Sequence, residues 1–373
     1  MSRKAAFSFY EFFAGGGMAR AGLGDDWDCL FANDFAPLKA RTYAANGPSD
    51  HLHVGDVFAL SPQSLPGRAD LAWASSPCQD FSLAGARAGL GGGRSSAFFG
   101  FWSLMRALNA EGRAPRVIAI ENVVGLLTSR KGADFQALCS ALHGEGYRFG
   151  ALEIDASGFV PQSRPRVIVL ATREGPGDLE GPSPYQTTAV RAAHAALPPE
   201  LKAAWIWWRM EAPQRRNIDL AAVLESDAAV RWRSDGETLG LLDQMEVRHR
   251  QKVSEQSLSG VRAVGAVFRR TRGGVPRAEV RFDGLAGCLR TPGGGSSRQL
   301  ILVVDGGEIK SRWLTAREGA RLMGLADDYC LPKSQSAALK VIGDGVAVPV
   351  VRALAAQLLE PLLLRPHSAV AAE

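Results

Sequence analysis

Five short apolar runs in the first third of this chain each end on residues that can do chemistry. Phe7–Phe13 runs into Ala14-Gly15-Gly16-Gly17, Asp28–Ala32 into Asn33-Asp34, and Leu52–Val54 into Gly55-Asp56. Leu71–Ser75 runs into Ser76-Pro77-Cys78-Gln79, and Arg116–Ile120 into Glu121-Asn122-Val123. Short apolar runs bounded by glycine, proline and polar breaks read as buried strands. Two more follow at Gly150–Ile154 and Val167–Ala171, and helical patterns lie between them at Met18–Leu23, Pro37–Asn46, Ser95–Asn109 and Asp134–Glu145. Strands alternating with helices predict a doubly wound, Rossmann-like α/β sheet, in which ligands sit beyond the carboxyl ends of the strands. Strands ending in glycine, acid, nucleophile and acid describe one crevice.

Composition narrows the class. The chain has 373 residues, 46% apolar and 22% charged, which is the balance of a folded protein rather than a disordered one. No uninterrupted apolar run approaches the roughly 20 residues that span a bilayer, so no membrane partner is expected. Arg3 and Lys4 precede an apolar stretch, but Glu11 interrupts it and glycines stand where a leader would carry its cleavage site, so a buried strand is expected there. The cysteines are Cys29, Cys78, Cys139, Cys288 and Cys330, an odd number with no C-x-x-C pair. That argues against a disulfide framework or a structural zinc site and for a reducing, cytoplasmic compartment. Four of them are expected to be small buried apolar residues. Cys78 is set apart by its neighbours.

Domain boundaries are read from changes in pattern. Residues 1–172 carry the strand-and-helix alternation. Residues 173–186, rich in glycine, proline and acids, read as a linker or long loop that opens a second region over 173–315. Over 187–285 the period is irregular, with Trp205, Trp207, Trp208 and Trp232, and no elements are assigned. Regular character returns from Arg312 to Val351, and 316–373 is expected to complete the first domain, with a frayed tail after Leu364. The formal net charge is +5. Between Met245 and Arg281 nine Lys or Arg face three acids, an excess larger than that of the whole chain. Alone, such a run suits a solvated surface as well as a polyanionic partner.

At the first crevice, glycines after a strand let backbone approach a ligand where a Cβ would clash. The run is not a strict G-x-G-x-x-G, and alone it is equally a tight turn. Asp34 lies 19 residues after Gly15, where an acid accepts from ribose hydroxyls. Asp56 can accept from an exocyclic amine such as adenine N6. Either acid alone is equally a helix cap. Together they describe a nucleoside-shaped pocket, and with no Gly-Lys-Ser/Thr to hold phosphates, S-adenosylmethionine is favoured over NAD or ATP.

Pro77-Cys78-Gln79 follows a strand directly, which puts a thiol at the crevice mouth, where a thiolate can attack an electron-poor carbon. A lone Pro-Cys is more often structural. Glu121, ending the neighbouring strand, changes that balance, because a partly buried carboxyl can donate to a ring nitrogen as it gains charge. Arg164 and Arg166, at i and i+2 in extended chain, are expected to share one face. One would contact a base carbonyl and the other a phosphate or carboxylate. A strand-edge charge pair is the plainer alternative.

Taken in order, these residues resemble the cytosine-C5 DNA methyltransferase family over nearly the whole chain. Phe13-Ala14-Gly15-Gly16-Gly17 resembles its first motif, Asn33-Asp34 its ribose motif and Gly55-Asp56-Val57 its adenine motif. Pro77-Cys78-Gln79 with Phe81-Ser82 resembles its nucleophile motif, and Glu121-Asn122-Val123 and Gln162-x-Arg164-x-Arg166 its base-binding motifs. Arg312-x-Leu314-Thr315-x-Arg317-Glu318 with Arg321-Leu322-Met323-Gly324 resembles the motif that organises the recognition domain. Gly343-Asp344-Gly345-Val346 resembles the last motif. Three positions depart from the family: Asp34 stands where Glu is frequent, Glu11 where Asp is usual, and Asp344 where Asn is common.

The resemblance implies a methyltransferase sheet with a smaller mixed target-recognition domain, and S-adenosylmethionine held by Phe13, Ala14, Gly15, Gly17, Asp34, Asp56, Val57, Pro77, Asp344 and Val346. Catalysis would rest on Cys78, Glu121, Arg164 and Arg166. The target base would leave the stack, since it cannot be reached inside a duplex. Double-stranded DNA would be touched by Gln79, Ser82, Arg248, Arg269, Arg270, Arg272 and Arg298. Gly85–Gly93 would be a lid, and Gly293–Arg298 a DNA-facing loop. A monomeric bacterial enzyme near the nucleoid, with a restriction endonuclease as a possible partner in the cell, completes the expectation. Three rivals are an RNA cytosine methyltransferase, a silent DNA-binding protein on the same fold, and a small-molecule methyltransferase. The basic region disfavours the first, retention of Cys78, Glu121, Arg164 and Arg166 the second, and the presence of a nucleophile and a basic insert the third.

Overall fold

The computed structural model describes residues 5–76, 97–213, 216, 218–291 and 298–365. Pro77, Cys78, Gln79, Ser82, the Gly85–Gly93 run, Gly293–Ser297 and the tail after Arg365 lie outside the described residues. The chain forms two compact units. One comprises Met1–Ile154, Pro165–Ala212 and Val350–Glu373; the other comprises Asp155–Arg164 and Pro213–Pro349.

The first unit is built on seven strands: β1 (Phe7–Phe12), β2 (Trp27–Asp34), β3 (Leu52–Val54), β4 (Leu71–Ala74), β5 (Val117–Val123), β6 (Arg148–Asp155) and β7 (Pro165–Thr172). They lie in the order β3-β2-β1-β4-β5-β7-β6. Neighbours from β3 to β5 run parallel, and β7 runs antiparallel to β5. The order reverses between β1 and β4, the switch point where such sheets bind ligands. The predicted doubly wound sheet is therefore present, and every expected strand is in it. One boundary moves for a physical reason. β5 does not stop at Ile120, because Glu121, Asn122 and Val123 go on pairing with Ile168, Val167 and Arg166 of β7.

Burial explains the composition of the central strands. All four residues of β4 and the first six of β5 are buried, as expected when both faces of a parallel sheet are covered. The helices are α1 (Met18–Leu23), α2 (Pro37–Ala45), α3 (Ala97–Ala110) and α4 (Ala133–Gly144). On α3, Phe98, Phe101, Met105 and Leu108 recur at helical spacing and are buried in the core that β1, β4, β5 and β7 share.

Residues 173–186, expected to be a linker or long loop opening the second region, belong together with 187–212 to the first unit. Trp205 packs in the same core. The Ile206 amide donates to Phe149 O at 2.7 Å, and the Trp208 indole N–H donates to Leu170 O at 3.2 Å. A Cβ on Gly150 would lie 1.9 Å from Ile206 O, so glycine is needed for this segment to close against β6. Buried tryptophans make it part of the first unit. At the other end of the chain, the Arg116 guanidinium donates to Leu363 O at 2.9 Å and the Trp27 indole to Glu360 at 3.1 Å. The stretch Gln335–Leu364 is long and apolar enough to cross a membrane by length and composition, yet 56% of its most apolar window is buried and the helix breaks at Gly345.

The second unit holds an antiparallel sheet ordered β11-β10-β8-β9, from β8 (Ala263–Arg272), β9 (Val275–Arg281), β10 (Leu300–Asp305) and β11 (Glu308–Trp313). Register aligns Val280, Val267, Leu300 and Trp313 across one face. Leu241, Met245 and Val253, on or beside the helices Asp235–Asp243 and Val247–Ser259, pack on it. The helices Ala316–Arg321 and Gln335–Asp344 also belong here, so only the chain from Val350 completes the first unit rather than all of 316–373. The reason is a buried fork. Arg312 pairs with Glu318 through two bonds of 2.8 and 2.6 Å, both side chains being almost fully buried, and Glu318 also completes a capping box with Thr315.

Among the described cysteines only Cys139 is buried; Cys29 and Cys288 are half-buried and Cys330 is exposed. The expectation of four buried thiols therefore holds for one.

Candidate active site

The loop after β1 turns through the left-handed region at Phe13 (φ 56°), Gly15 (φ 60°) and Gly17 (φ 80°). Asp34, at the end of β2, fastens it. Its Oδ2 accepts the Gly15 amide at 2.8 Å and its Oδ1 the Ala36 amide at 2.8 Å. The acid thus orients both the glycine loop and the start of α2, and each oxygen retains a lone pair. Ala14 is buried against Ala32 and Tyr43. Above Gly15 there is room, since a Cβ built there meets nothing within 4 Å. Asn33 donates to His53 O at 3.1 Å and Gly55 O at 3.0 Å, which ties down the end of β3.

Asp56 is exposed and caps the short turn Val57–Ala59 by accepting the Phe58 amide at 3.0 Å. Both readings of this acid are compatible, because its second oxygen has no protein partner among the described residues. Val57 differs from expectation: its side chain is buried in the core, and a Cβ on Gly100 would come within 2.6 Å of its Cγ1. Packing against α3 fixes its side chain. Sequence reading missed Phe35, which is 73% exposed directly beside Asp34, and Phe58, 45% exposed beyond Asp56. Exposed aromatic rings at strand ends are the available signal.

Beneath the loop Glu11 is fully buried. Burial pushes its carboxyl up to about 7, against the opposing pull of Arg20. The Arg20 amide reaches Oε1 at 3.4 Å, and Oε2 has no hydrogen-bond partner.

The second cluster stands on β5 and β7. Glu121 and Arg166 lie diagonally across the antiparallel pair and form an ion pair at 3.0 Å, with 7% and 17% of their side chains exposed. Buried Asn122 donates to the carbonyl and the hydroxyl of Ser76, each at 3.2 Å. Ser76 is the last described residue before Pro77-Cys78. Asn122 therefore anchors the chain at Ser76, just before Pro77-Cys78.

Arg164 and Arg166 do not share a face. β7 begins at Pro165, so Arg164 lies before the strand, and its side chain is 1% exposed. It donates to Leu289 O at 2.8 Å, Gly343 O at 3.0 Å and Gly345 O at 2.6 Å. These carbonyls occupy the guanidinium, so in place of the expected base or phosphate contact it clips together three segments of the second unit. Gln162 does similar work, donating to Leu322 O at 2.7 Å and accepting the Leu289 amide at 2.9 Å.

The family model for C-5 cytosine-specific DNA methylase matches residues 7–360. The chain belongs to the C-5 cytosine-specific DNA methylase family. The Type II methyltransferase M.HpaII of Haemophilus parainfluenzae is 26% identical over 95% of this chain and 90% of its own. M.HhaI of Haemophilus parahaemolyticus is 24% identical over 96% of both. Among solved structures, Dnmt2 methyltransferase of S. pombe superposes with a TM-score of 0.59 at 19% identity, covering 95% of this chain and 99% of that one. The methyltransferase EhMeth of Entamoeba histolytica gives 0.63 at 13%, covering 97% and 99%. These likenesses fix the fold, and the family fixes the activity as DNA (cytosine-5-)-methyltransferase.

In the methylase's second unit the expected DNA-contacting arginines differ among themselves. Arg248 pairs with Glu246 at 3.4 Å, and Arg270 with Glu279 at 3.3 Å. Arg269 and Arg298 instead lie over the Trp313 ring, at 4.9 and 5.0 Å from its centre. Arg272 ends β8 at the exposed Gly273-Gly274 turn. Asp344 ends the helix Gln335–Asp344 and accepts the Thr291 hydroxyl, and Val346 is buried.

Proposed function

We propose that this methylase transfers a methyl group from S-adenosylmethionine to C5 of a cytosine flipped out of duplex DNA, with Cys78 bonded to C6 during the step. The observation that carries the reading is the Glu121–Arg166 pair beside Asn122, whose amide anchors the strand end leading to Cys78. The first crevice suits the cofactor. There is space over Gly15, two acids at adjacent strand ends, an exposed aromatic ring at Phe35, and no phosphate-binding loop. Asp34 would hold the ribose and Asp56 the adenine amine, while the assignment of Pro77, Asp344 and Val346 rests on the sequence motifs.

Bound there, S-adenosylmethionine supplies an electrophilic methyl group. The Cys78 thiolate adds to C6, which breaks the ring's aromaticity and makes C5 enamine-like. In its protonated form Glu121 donates to N3 as negative charge develops there and takes the proton back when cysteine leaves, and Arg166 orients the carboxyl and holds the base carbonyl O2. After methylation at C5 a base removes the C5 proton, the electron pair re-forms the ring double bond, and cysteine leaves. A general acid of this kind contributes about 10²–10⁴-fold. With this reading go duplex DNA as substrate, a monomer, a bacterial cytoplasm close to the nucleoid, and a companion endonuclease in a restriction–modification pair.

Bisulfite sequencing of DNA from cells expressing the chain should show methylated cytosines in one sequence context. A duplex with 5-fluorocytosine at that position should then trap a denaturation-resistant adduct through residue 78. Active enzyme that forms none would overturn the covalent route.

A further inference from the structure

Around Trp313, the last residue of β11, three arginines converge. The guanidinium carbons of Arg269, Arg298 and Arg233 lie 4.9, 5.0 and 6.0 Å from the indole centre. They come from three places in the fold: β8, the residue two before β10, and the approach to the helix Asp235–Asp243. Register puts Trp313 opposite Leu300 and Leu300 opposite Val267, so Arg298 and Arg269 stand two residues along on the same face as the ring. All four side chains are half-buried.

Three like charges at one half-buried point repel one another, and neutralisation from within the protein is slight. Arg269 and Arg298 have no acidic partner among the described residues; Arg233 reaches only Glu237, at 3.7 Å. The Nε–H of each arginine is buried without a hydrogen-bond partner. Burial depresses the basicity of Arg269 and Arg298, and Arg233 adds to the effect on Arg269. Other arginines of this unit do meet acids: Arg262 meets Asp227 and Asp305, Arg281 meets Asp283, and Arg321 meets Asp327. The indole offsets part of the repulsion by cation–π attraction but brings no negative charge. What would complete the cluster is an anion with several acceptor oxygens, which planar guanidinium forks grip well.

We propose that Arg233, Arg269 and Arg298, arrayed on Trp313, form a clamp for adjacent backbone phosphodiesters of the DNA substrate. The proposal rests on the functional reading above and adds to it the place where the second unit grips the duplex. The clamp positions the backbone and reads no base. It sets affinity for DNA and leaves the chemical step alone.

The test is duplex binding by the full chain, followed by fluorescence anisotropy across a salt titration. Removing one arginine–phosphate pairing should flatten the slope of log K against log salt by about one. Arg269→Gln with Arg298→Gln should therefore flatten it by about two and raise KM for DNA, with kcat at saturating duplex retained. Arg269→Lys with Arg298→Lys keeps the charges and should keep the slope while weakening affinity, because an ammonium cannot fork. Lys202→Gln, an exposed charge in the first unit, should change neither. If the double Gln variant melts early, the single variants carry the test, each with a slope flatter by about one. A structural role would lower melting temperature without changing the slope, and that result would overturn the clamp. Wild type that binds duplex with a salt dependence the Gln variants share would overturn the clamp alone. Wild type with no salt-dependent duplex binding would overturn the functional reading together with it. Inorganic phosphate at constant ionic strength should leave the duplex bound; if it displaces duplex from wild type but not from the Gln variant, the clamp belongs to a free anion instead.

Discussion

In the first unit the acids at the strand ends are tied to the backbone around them. Asp34 holds the Gly15 and Ala36 amides, Asp56 holds Phe58, and Glu121 is locked to Arg166. In the second unit the corresponding charges are arginines, and some of them face aromatic rings instead of acids. On the proposed reading, the charged groups of the chemical site are already oriented and would need little reorganisation when a ligand arrives, whereas unmatched cations in the second unit would give an affinity for DNA that salt can tune. The same chain thus arranges charge in two ways.

The largest effect expected tests the chemical half of that contrast. Cys78→Ala should reduce turnover on the order of 10³-fold or more while cofactor affinity, followed by titration calorimetry, survives. Residual turnover within tenfold of wild type would break the covalent account. Next, Glu121→Gln keeps the shape and removes the acidic proton, so kcat should fall by about 10²–10⁴ with little change in DNA affinity. An equal fall in DNA affinity would mean that the ion pair serves binding instead.

Arg164 and Arg166 sharpen the division between site and scaffold. Arg164→Ala strands three buried carbonyls and should cost about 3 kcal/mol of stability, seen as an earlier urea midpoint. Arg166→Ala should show its larger effect in kcat. Reversal of that order would return Arg164 to the catalytic set.

The smallest effect concerns Glu11. Its folded pKa of about 7 lies above the unfolded value near 4.5, so the native state holds the proton more tightly. Stability should be greatest at or below the unfolded pKa and fall as pH rises to about 7, then level off. The total is on the order of 3 kcal/mol. Glu11→Gln should remove that slope between pH 5 and 8, as measured by urea midpoints. A wild-type curve as flat as the variant's would show the carboxyl to be ionised and compensated.

Some of this was legible in sequence because it is local. The strands β1 to β5 are apolar runs whose neighbours end them, and the central strands of a two-sided sheet bury both faces. Asp34, Asp56 and Glu121 could be placed because they follow those runs directly. Phe35 sat beside Asp34 unread, since one exposed aromatic is silent without a surface to stand on. The strap over residues 173–212 was misread because glycine and proline at its start look like a linker, whereas what binds it is the close approach of Ile206 to Gly150 on β6.

The linear order of residues settled the doubly wound sheet and the family to which the chain belongs, since each depends on short runs of adjacent positions. Only the folded chain could decide that Arg164 is a clip while Arg166 meets Glu121, that the helices Ala316–Arg321 and Gln335–Asp344 join the second unit, and that three arginines crowd one indole. Those outcomes depend on which distant backbone atoms and rings come within bonding distance, and spacing along the chain carries no information about that.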